Sequence, residues 1–287
     1  MKESIMPIWG LKYLQILGLS IEPPSYGFLK KICRAHLTVF PFENISKLIY
    51  YRDQEKNGFL IPPIEVFLQN HEKYQFGGTC YTLNSHLYQL LKVLEFPCRL
   101  VKVGNDHMAI LVDGLDQVNE LIYVDCGAAA PLFTPPIISQ APENTVQFGL
   151  DQVIIRLVNE QKNLYAYGRY LDGRLSQDEW LFCGTDSASF EDFLPAIDQS
   201  YQPKAPFMTI LRCQLWDIEN QRSLSLVNNK YTIRFQNRES IKITLANIDE
   251  IVEVLVSEFK RPQLPVQEAI EVLERLGVDI FAEKKEA

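Results

Sequence analysis

The 287-residue sequence has no run of eighteen apolar residues, so it offers no transmembrane helix, which needs about 20. It has no Cys-x-x-Cys: the six cysteines are Cys33, Cys80, Cys98, Cys126, Cys183 and Cys213. A zinc site with short-spaced ligands is therefore unsupported, and no metal is expected. Histidine is scarce, with four in all. Positive charge is also short: 28 Lys and Arg against 36 Asp and Glu leave a net charge of −8. Phosphates repel such a chain, which argues against nucleic acid or an anionic membrane as partner. Gly77-Gly78 is followed by no Gly-Lys-Ser or Gly-Lys-Thr, so it is no phosphate loop. There is no internal repeat and no low-complexity tract. Residues 1–10 lack the apolar run of a signal peptide, and six thiols without a signal read as reduced and cytoplasmic.

What is present is a core-forming chain, 47% hydrophobic, enough for one large domain or two to three smaller ones sharing cores. The first third has helical period. Ile8, Leu11, Leu14, Leu17 and Leu19 predict one helix, with Gly18 as its stop. Phe28, Leu29, Ile32 and Ala35 predict a second, capped by Ser25 and ended by Pro41. Pro62-Pro63 opens a short helix through Val66, Phe67 and Leu68. After Gly77-Gly78, Leu83, Leu87, Leu90, Leu91 and Leu94 form the clearest apolar stripe.

From Pro97 the period changes to that of strands: 99–103, 107–112, 121–125, 153–158 and 165–171. This block predicts a β-barrel or sandwich with Pro-rich loops near Pro131 and Pro135-Pro136. Further on, Asn228-Asn229 turns a hairpin between 223–227 and 231–235, and 241–245 adds a strand. Asn247 to Glu250 resembles a capping box. A last helix runs from Pro265 to Leu276 with Gly277 behind it, and Glu283 to Glu286 read as a solvated end.

Cys80 opens the Leu-striped helix. Unpaired N–H groups and positive partial charge at a helix start favour a thiolate. On position alone a buried, inert cysteine is the commoner meaning. His107 alters that balance. It stands at the mouth of an apolar strand, and Asp125 closes the next one. If the two strands pair antiparallel, His107 and Asp125 share one end. Asp125 can then fix the imidazole tautomer, and His107 can deprotonate Cys80. Singly each residue reads as structural; their joint occurrence reads as a site. His86, six residues after Cys80, falls on another helix face. Lys30-Lys31 with Arg34, Asp178-Glu179 and Glu191-Asp192 read as solvated charge.

These residues resemble the arylamine N-acetyltransferase family. His36 with Pro41-Phe42-Glu43-Asn44, Gly77-Gly78-Thr79-Cys80-Tyr81-Thr82-Leu83-Asn84, Gly104 to Met108 and Val124-Asp125-Cys126-Gly127 match its segments in order. The match is strong to about Pro131 and fainter at Ala205-Pro206-Phe207 and Leu276-Gly277-Val278. The resemblance implies an α+β fold with a cysteine-protease-like core: a helical bundle over 1–96, a central β-barrel over 97–203 and a C-terminal α/β lid over 204–287. It implies that Cys80 takes an acetyl group from acetyl-CoA, with His107 as base and Asp125 orienting it. The acetyl group then passes to an arylamine or hydrazine in a ping-pong cycle. It places Gly104, Gly127, Ala128 and Phe207 beside the cofactor. The runner-up readings are a thiol hydrolase or transglutaminase-like enzyme, and a catalytically altered CoA-binding homologue.

Three departures stand out. Phe76 replaces the family's Arg, so Glu43 is expected to find another partner or local exposure. Thr82 replaces a Glu. Ala128 stands where an aromatic residue is common, which predicts a wider acceptor pocket. The segment from His107 to Asp125 is also a few residues longer, as a hairpin insertion would make it.

Overall fold

Ser25 caps the second helix as its position predicts: its hydroxyl accepts from the Phe28 N–H at 3.1 Å, and the helix runs Tyr26–Val39. The computed structural model describes residues 6–116 and 120–282. Residues 283–286 and the middle of the long turn after Asp113 lie outside the described residues. The chain divides into two compact units, one of residues 1–39 and 80–194, the other of 40–79 and 195–287. No described helix is long and apolar enough to cross a membrane. Among the described residues no cluster of three metal-ligating side chains occurs.

The first unit contains helices Ile8–Ile16, Tyr26–Val39 and Cys80–Val93. Leu83, Leu87, Leu90, Leu91 and Leu94 are all buried, so the stripe of the third helix is its core face. The first helix differs from expectation. Leu14 and Leu17 are buried as expected, but Ile8 and Leu11 are exposed, and Tyr13 is buried in their place. Tyr13 reaches inward because its hydroxyl pairs with His36 Nε2 at 2.9 Å, an outlet for a buried phenol that an aliphatic count does not include.

Strands Cys98–Val103, His107–Asp113 and Leu121–Val124 form one antiparallel sheet. Glu143–Phe148, Asp151–Asn159, Leu164–Leu171, Arg174–Leu175 and Trp180–Cys183 form a second. The α+β class holds, but the expected barrel is not closed. Beside Leu121–Val124 the next segment is the Pro-rich stretch, which makes one isolated bridge, Ile122 to Ile137. Prolines donate no ladder hydrogen bond, so the sheet stops there. Val101, Ala109, Leu111, Tyr123, Val153, Ile155, Tyr165, Tyr167 and Phe182 fill the core between the sheets.

The second unit has an antiparallel sheet ordered Phe42–Glu43, Arg212–Asp217, Arg222–Val227, Lys230–Phe235, Ser240–Thr244. Its middle hairpin turns at Asn228-Asn229 with Val227 opposite Lys230. Helices Ile45–Arg52, Ile64–Tyr74, Ile248–Ser257 and Val266–Arg275 belong with it. Asn247 caps its helix by accepting from Glu250 N–H at 3.0 Å. The reciprocal bond goes from Ala246 N–H to Glu250 Oε2, one residue earlier than a standard box.

Candidate active site

Cys80 is the first residue of helix Cys80–Val93 and is partly exposed. Asn84 lies four residues on, hence on the same helix face. Strands His107–Asp113 and Leu121–Val124 pair antiparallel with Ile110 opposite Val124. That register brings the start of one strand to the end of the next. His107 Nε2 donates to Asp125 Oδ2 at 2.7 Å. Nε2 being occupied, Nδ1 is the nitrogen left for the hydrogen bond that His107 shares with Cys80. The structure thus gathers Cys80, His107 and Asp125, as the sequence predicted.

Asp125 is buried and fully hydrogen-bonded. Oδ2 also accepts from the Tyr123 hydroxyl at 3.1 Å. Oδ1 accepts from Asn84 Nδ2 at 2.8 Å and Gly127 N–H at 3.0 Å. Asn84 Nδ2 reaches Met108 O at 2.6 Å, and its Oδ1 accepts from Cys126 N–H at 3.0 Å. One amide therefore ties the Cys80 helix to both strands. The His107 side chain is 9% exposed. Burial acts to lower its pKa. The Asp125 charge and hydrogen bond, then the contact with Cys80, outweigh burial and raise it to about 10. That direction favours the imidazolium form of His107 between the Asp125 carboxylate and the Cys80 sulfur.

Gly127 is required by contact: a Cβ there would lie 2.7 Å from the Cys80 Cα. Gly104 has φ +63°, and its Cβ would lie 3.0 Å from the Trp180 ring. Both glycines are thus explained by the protein's own packing. Ala128 is partly exposed, beside buried Ala129 and Ala130. Their loop is held by Arg169, which sequence reading missed. Its guanidinium donates to Ala128 O and Ala129 O, each at 2.9 Å, and pairs with Asp151 through bonds of 3.1 and 2.7 Å. A planar peptide points its N–H opposite its C=O, so the amides of Ala129 and Ala130 face away from Arg169.

Phe207 belongs to the other unit, in a short turn Pro206–Met208, with its ring 5.4 Å from that of Phe42. Glu43 lies there too. It is buried and takes no local exposure. Its new partners are N–H groups: Ser46 N–H to Oε2 at 2.8 Å and Gly77 N–H to Oε1 at 3.1 Å. Burial raises the Glu43 pKa, and the bonds from Ser46 and Gly77 oppose that rise. Phe76, in place of a cation, packs on Tyr74 and Tyr50 with centroids at 5.1 and 5.9 Å. Thr82 is buried. His86 is buried and accepts from Gln89 at 3.3 Å, apart from the triad.

A family model described as N-acetyltransferase matches residues 27–267. Among solved structures, an arylamine N-acetyltransferase from Mycobacterium abscessus superposes with a TM-score of 0.74 at 17% identity, covering 93% of this chain and 94% of that one. The Mycobacterium marinum enzyme in complex with CoA gives 0.71 at 17%, covering 93% and 97%. A Bacillus cereus arylamine N-acetyltransferase with a Cys-His-Glu catalytic triad gives 0.66 at 20%, covering 88% and 98%. At these identities the likeness is one of fold. No curated relative matches at the level of sequence.

Proposed function

The chain belongs to the N-acetyltransferase family, whose model spans most of its length, and from that premise we propose that it moves an acetyl group from acetyl-CoA through a Cys80 thioester to an arylamine or hydrazine nitrogen. The observation that carries this reading is the closed set Cys80–His107–Asp125, with His107 bonded on both sides.

In the first half-reaction the Cys80 thiolate attacks the acetyl carbonyl carbon. The C–S bond to CoA breaks, and the leaving thiolate takes a proton from the His107 imidazolium. In the second, the acceptor nitrogen attacks the acyl-Cys80. His107, now neutral, takes the proton from that nitrogen, and the Cys80 thiolate leaves as the amide forms. Asp125 holds the His107 ring in place through both steps. Arylamines and hydrazines are neutral near pH 7 and can attack; alkylamines with pKa values near that of lysine, about 10.4, are protonated.

Support for CoA as donor comes from the complexed neighbour and from the loop at 127–130. Its carbonyls are drawn to Arg169, so its amides point the other way, the polarity an anion requires. Gly104, Gly127, Ala128 and Phe207 remain the residues proposed beside CoA. The small Ala128 side chain favours a wide acceptor pocket. A thiol-based enzyme of this kind suits the reducing cytoplasm, and the Cys80 helix against the His107 and Asp125 strands suits a cysteine-protease-like core.

The test is mass spectrometry after mixing with acetyl-CoA. An acetyl adduct on the Cys80 peptide, absent in Cys80→Ala and discharged by arylamines or hydrazines, is expected. Wild-type protein that stays unmodified at saturating acetyl-CoA would sink the reading.

A further inference from the structure

The His107 ring is held by more than its two nitrogens. Trp180 packs against it with centroids 4.8 Å apart and planes 31° from parallel. Trp180 lies directly across the strand ladder from Tyr167, and the two rings stack at 5.6 Å and 17°. Tyr167 packs on Tyr123 at 5.8 Å. The Tyr123 hydroxyl donates to the same Asp125 oxygen that accepts from His107. Five side chains thus form a closed ring of contacts: His107, Trp180, Tyr167, Tyr123, Asp125. The backbone makes room for it. Gly104, three residues before His107, donates its N–H to Leu181 O at 2.9 Å. Any Cβ on Gly104 would press on the Trp180 ring.

We propose that Trp180 is a positioning residue for the Cys80–His107 pair, whose indole face holds the His107 ring as an imidazolium turned toward Cys80. The cation gains from the π face, and the indole keeps water from that side. This rests on the acyl-transfer reading, because the pair matters only if Cys80 is the nucleophile. The direction of the His107 pKa agrees with a retained proton. The charged and titratable groups around His107 are Asp125 after strand Leu121–Val124 and Cys80 at the helix start. Asp106 precedes it on its own turn, and Tyr123 and Tyr167 stand behind. Both phenols are kept neutral, first by burial and then by the Asp125 charge. The Arg169–Asp151 pair lies further along strands Leu164–Leu171 and Asp151–Asn159. None of these replaces an aromatic face, so removing Trp180 leaves the cation less stabilised.

The experiment is an NMR titration of protein carrying ¹³C-labelled histidine. Four histidine signals are present, and the one lost in His107→Gln is His107. In wild type it titrates far above an ordinary imidazole. In Trp180→Leu its midpoint falls by about 1.5 pH units, the size of a desolvated cation–π contact. In Trp180→Phe it falls by less. If Trp180→Leu does not fold, Gly104→Ala displaces the ring without deleting it and is expected to lower the midpoint in the same direction. An unchanged midpoint in folded Trp180→Leu or Gly104→Ala overturns the inference and leaves the acyl-transfer reading standing. A wild-type His107 that titrates as a free imidazole overturns the ion pair itself, and the inference with it. Cys80 alkylation by iodoacetamide, followed in the same variants, reads the pair without acetyl-CoA. Its plateau should narrow on the alkaline side in Trp180→Leu by the same pH interval.

Discussion

Asp125 accepts four hydrogen bonds, two on each oxygen, and this fixes what a single-atom change does there. In Asp125→Asn the amide oxygen can keep the bonds from Asn84 and Gly127, but its NH₂ then faces His107 Nε2 and the Tyr123 hydroxyl. The fold is expected to survive while His107 loses its proton and orientation. Single-turnover acylation should drop by about 10³- to 10⁴-fold, the scale seen when an orienting carboxylate is made neutral. Stopped-flow release of CoA measures it, and a near-normal rate removes Asp125 from the mechanism. The six thiols give a second test. Burial raises Cys98 to about 12 and raises Cys126 and Cys213 as well. Cys80 and Cys183 alone are partly exposed. Iodoacetamide at pH 7 should label Cys80 well ahead of all others, with peptide mapping as readout; equal rates at Cys80 and Cys183 count against a His107-held thiolate. Cys80, His107 and Asp125 were legible because each sits at an element end that local pattern marks. Trp180, Tyr167 and Tyr123 were not, because their meeting depends on sheet pairing between residues far apart in sequence, which no local period encodes.

At the level of elements, the loop after Asp125 owes its course to a strand more than forty residues away. Arg169 and Asp151 hold one another with side chains 20% and 6% exposed, and Arg169 spends two further donors on Ala128 and Ala129. Breaking a pair of this burial leaves an uncompensated carboxylate. Arg169→Met is therefore expected to cost about 3 kcal/mol in urea unfolding, the low end for a buried pair because Arg169 retains some solvent. Asp151→Asn combined with it should recover part of that loss. A near-neutral single variant would show the clamp to be incidental. Helix ends were read well where Ser25, Asn247 and Gly277 mark them, but helices Ile45–Arg52 and Leu194–Ser200, which carry no such clear apolar stripe, went unread. The barrel was read too far. Alternating residues identify a half-buried strand, but whether the last strand meets the first depends on neighbours, and Pro135-Pro136 withhold the donors that closure needs. Glu43 was expected to find another partner or local exposure, and the peptide N–H groups of Ser46 and Gly77 are that partner.

For the whole molecule, the site writes itself into stability. His107 has a folded pKa near 10 against about 6.5 in an unfolded chain. Its folded-state value is the higher, so it stabilises the fold fully below about pH 6.5. That contribution declines as pH rises and is gone above about pH 10. Unfolding free energies of wild type and His107→Gln should therefore converge between those limits; a constant difference across the window would show that the proton is not bound more tightly in the fold. The net charge of −8 repels an anionic donor in the bulk field, so its binding should depend on local amides and should not weaken as added salt screens that repulsion.

Neither compact unit is one continuous piece of chain, and this governs how the molecule can be made. Ile45, Leu48, Ile49 and Phe76 are synthesised early, but their core partners Leu211, Leu224, Leu226 and Leu273 come from the last third. At about 5–20 residues per second, residues 40–79 wait roughly 10–40 s for the strands and helices that cover them. Over that interval they are a sticky nascent segment, so the ribosome-bound chain should be a chaperone client.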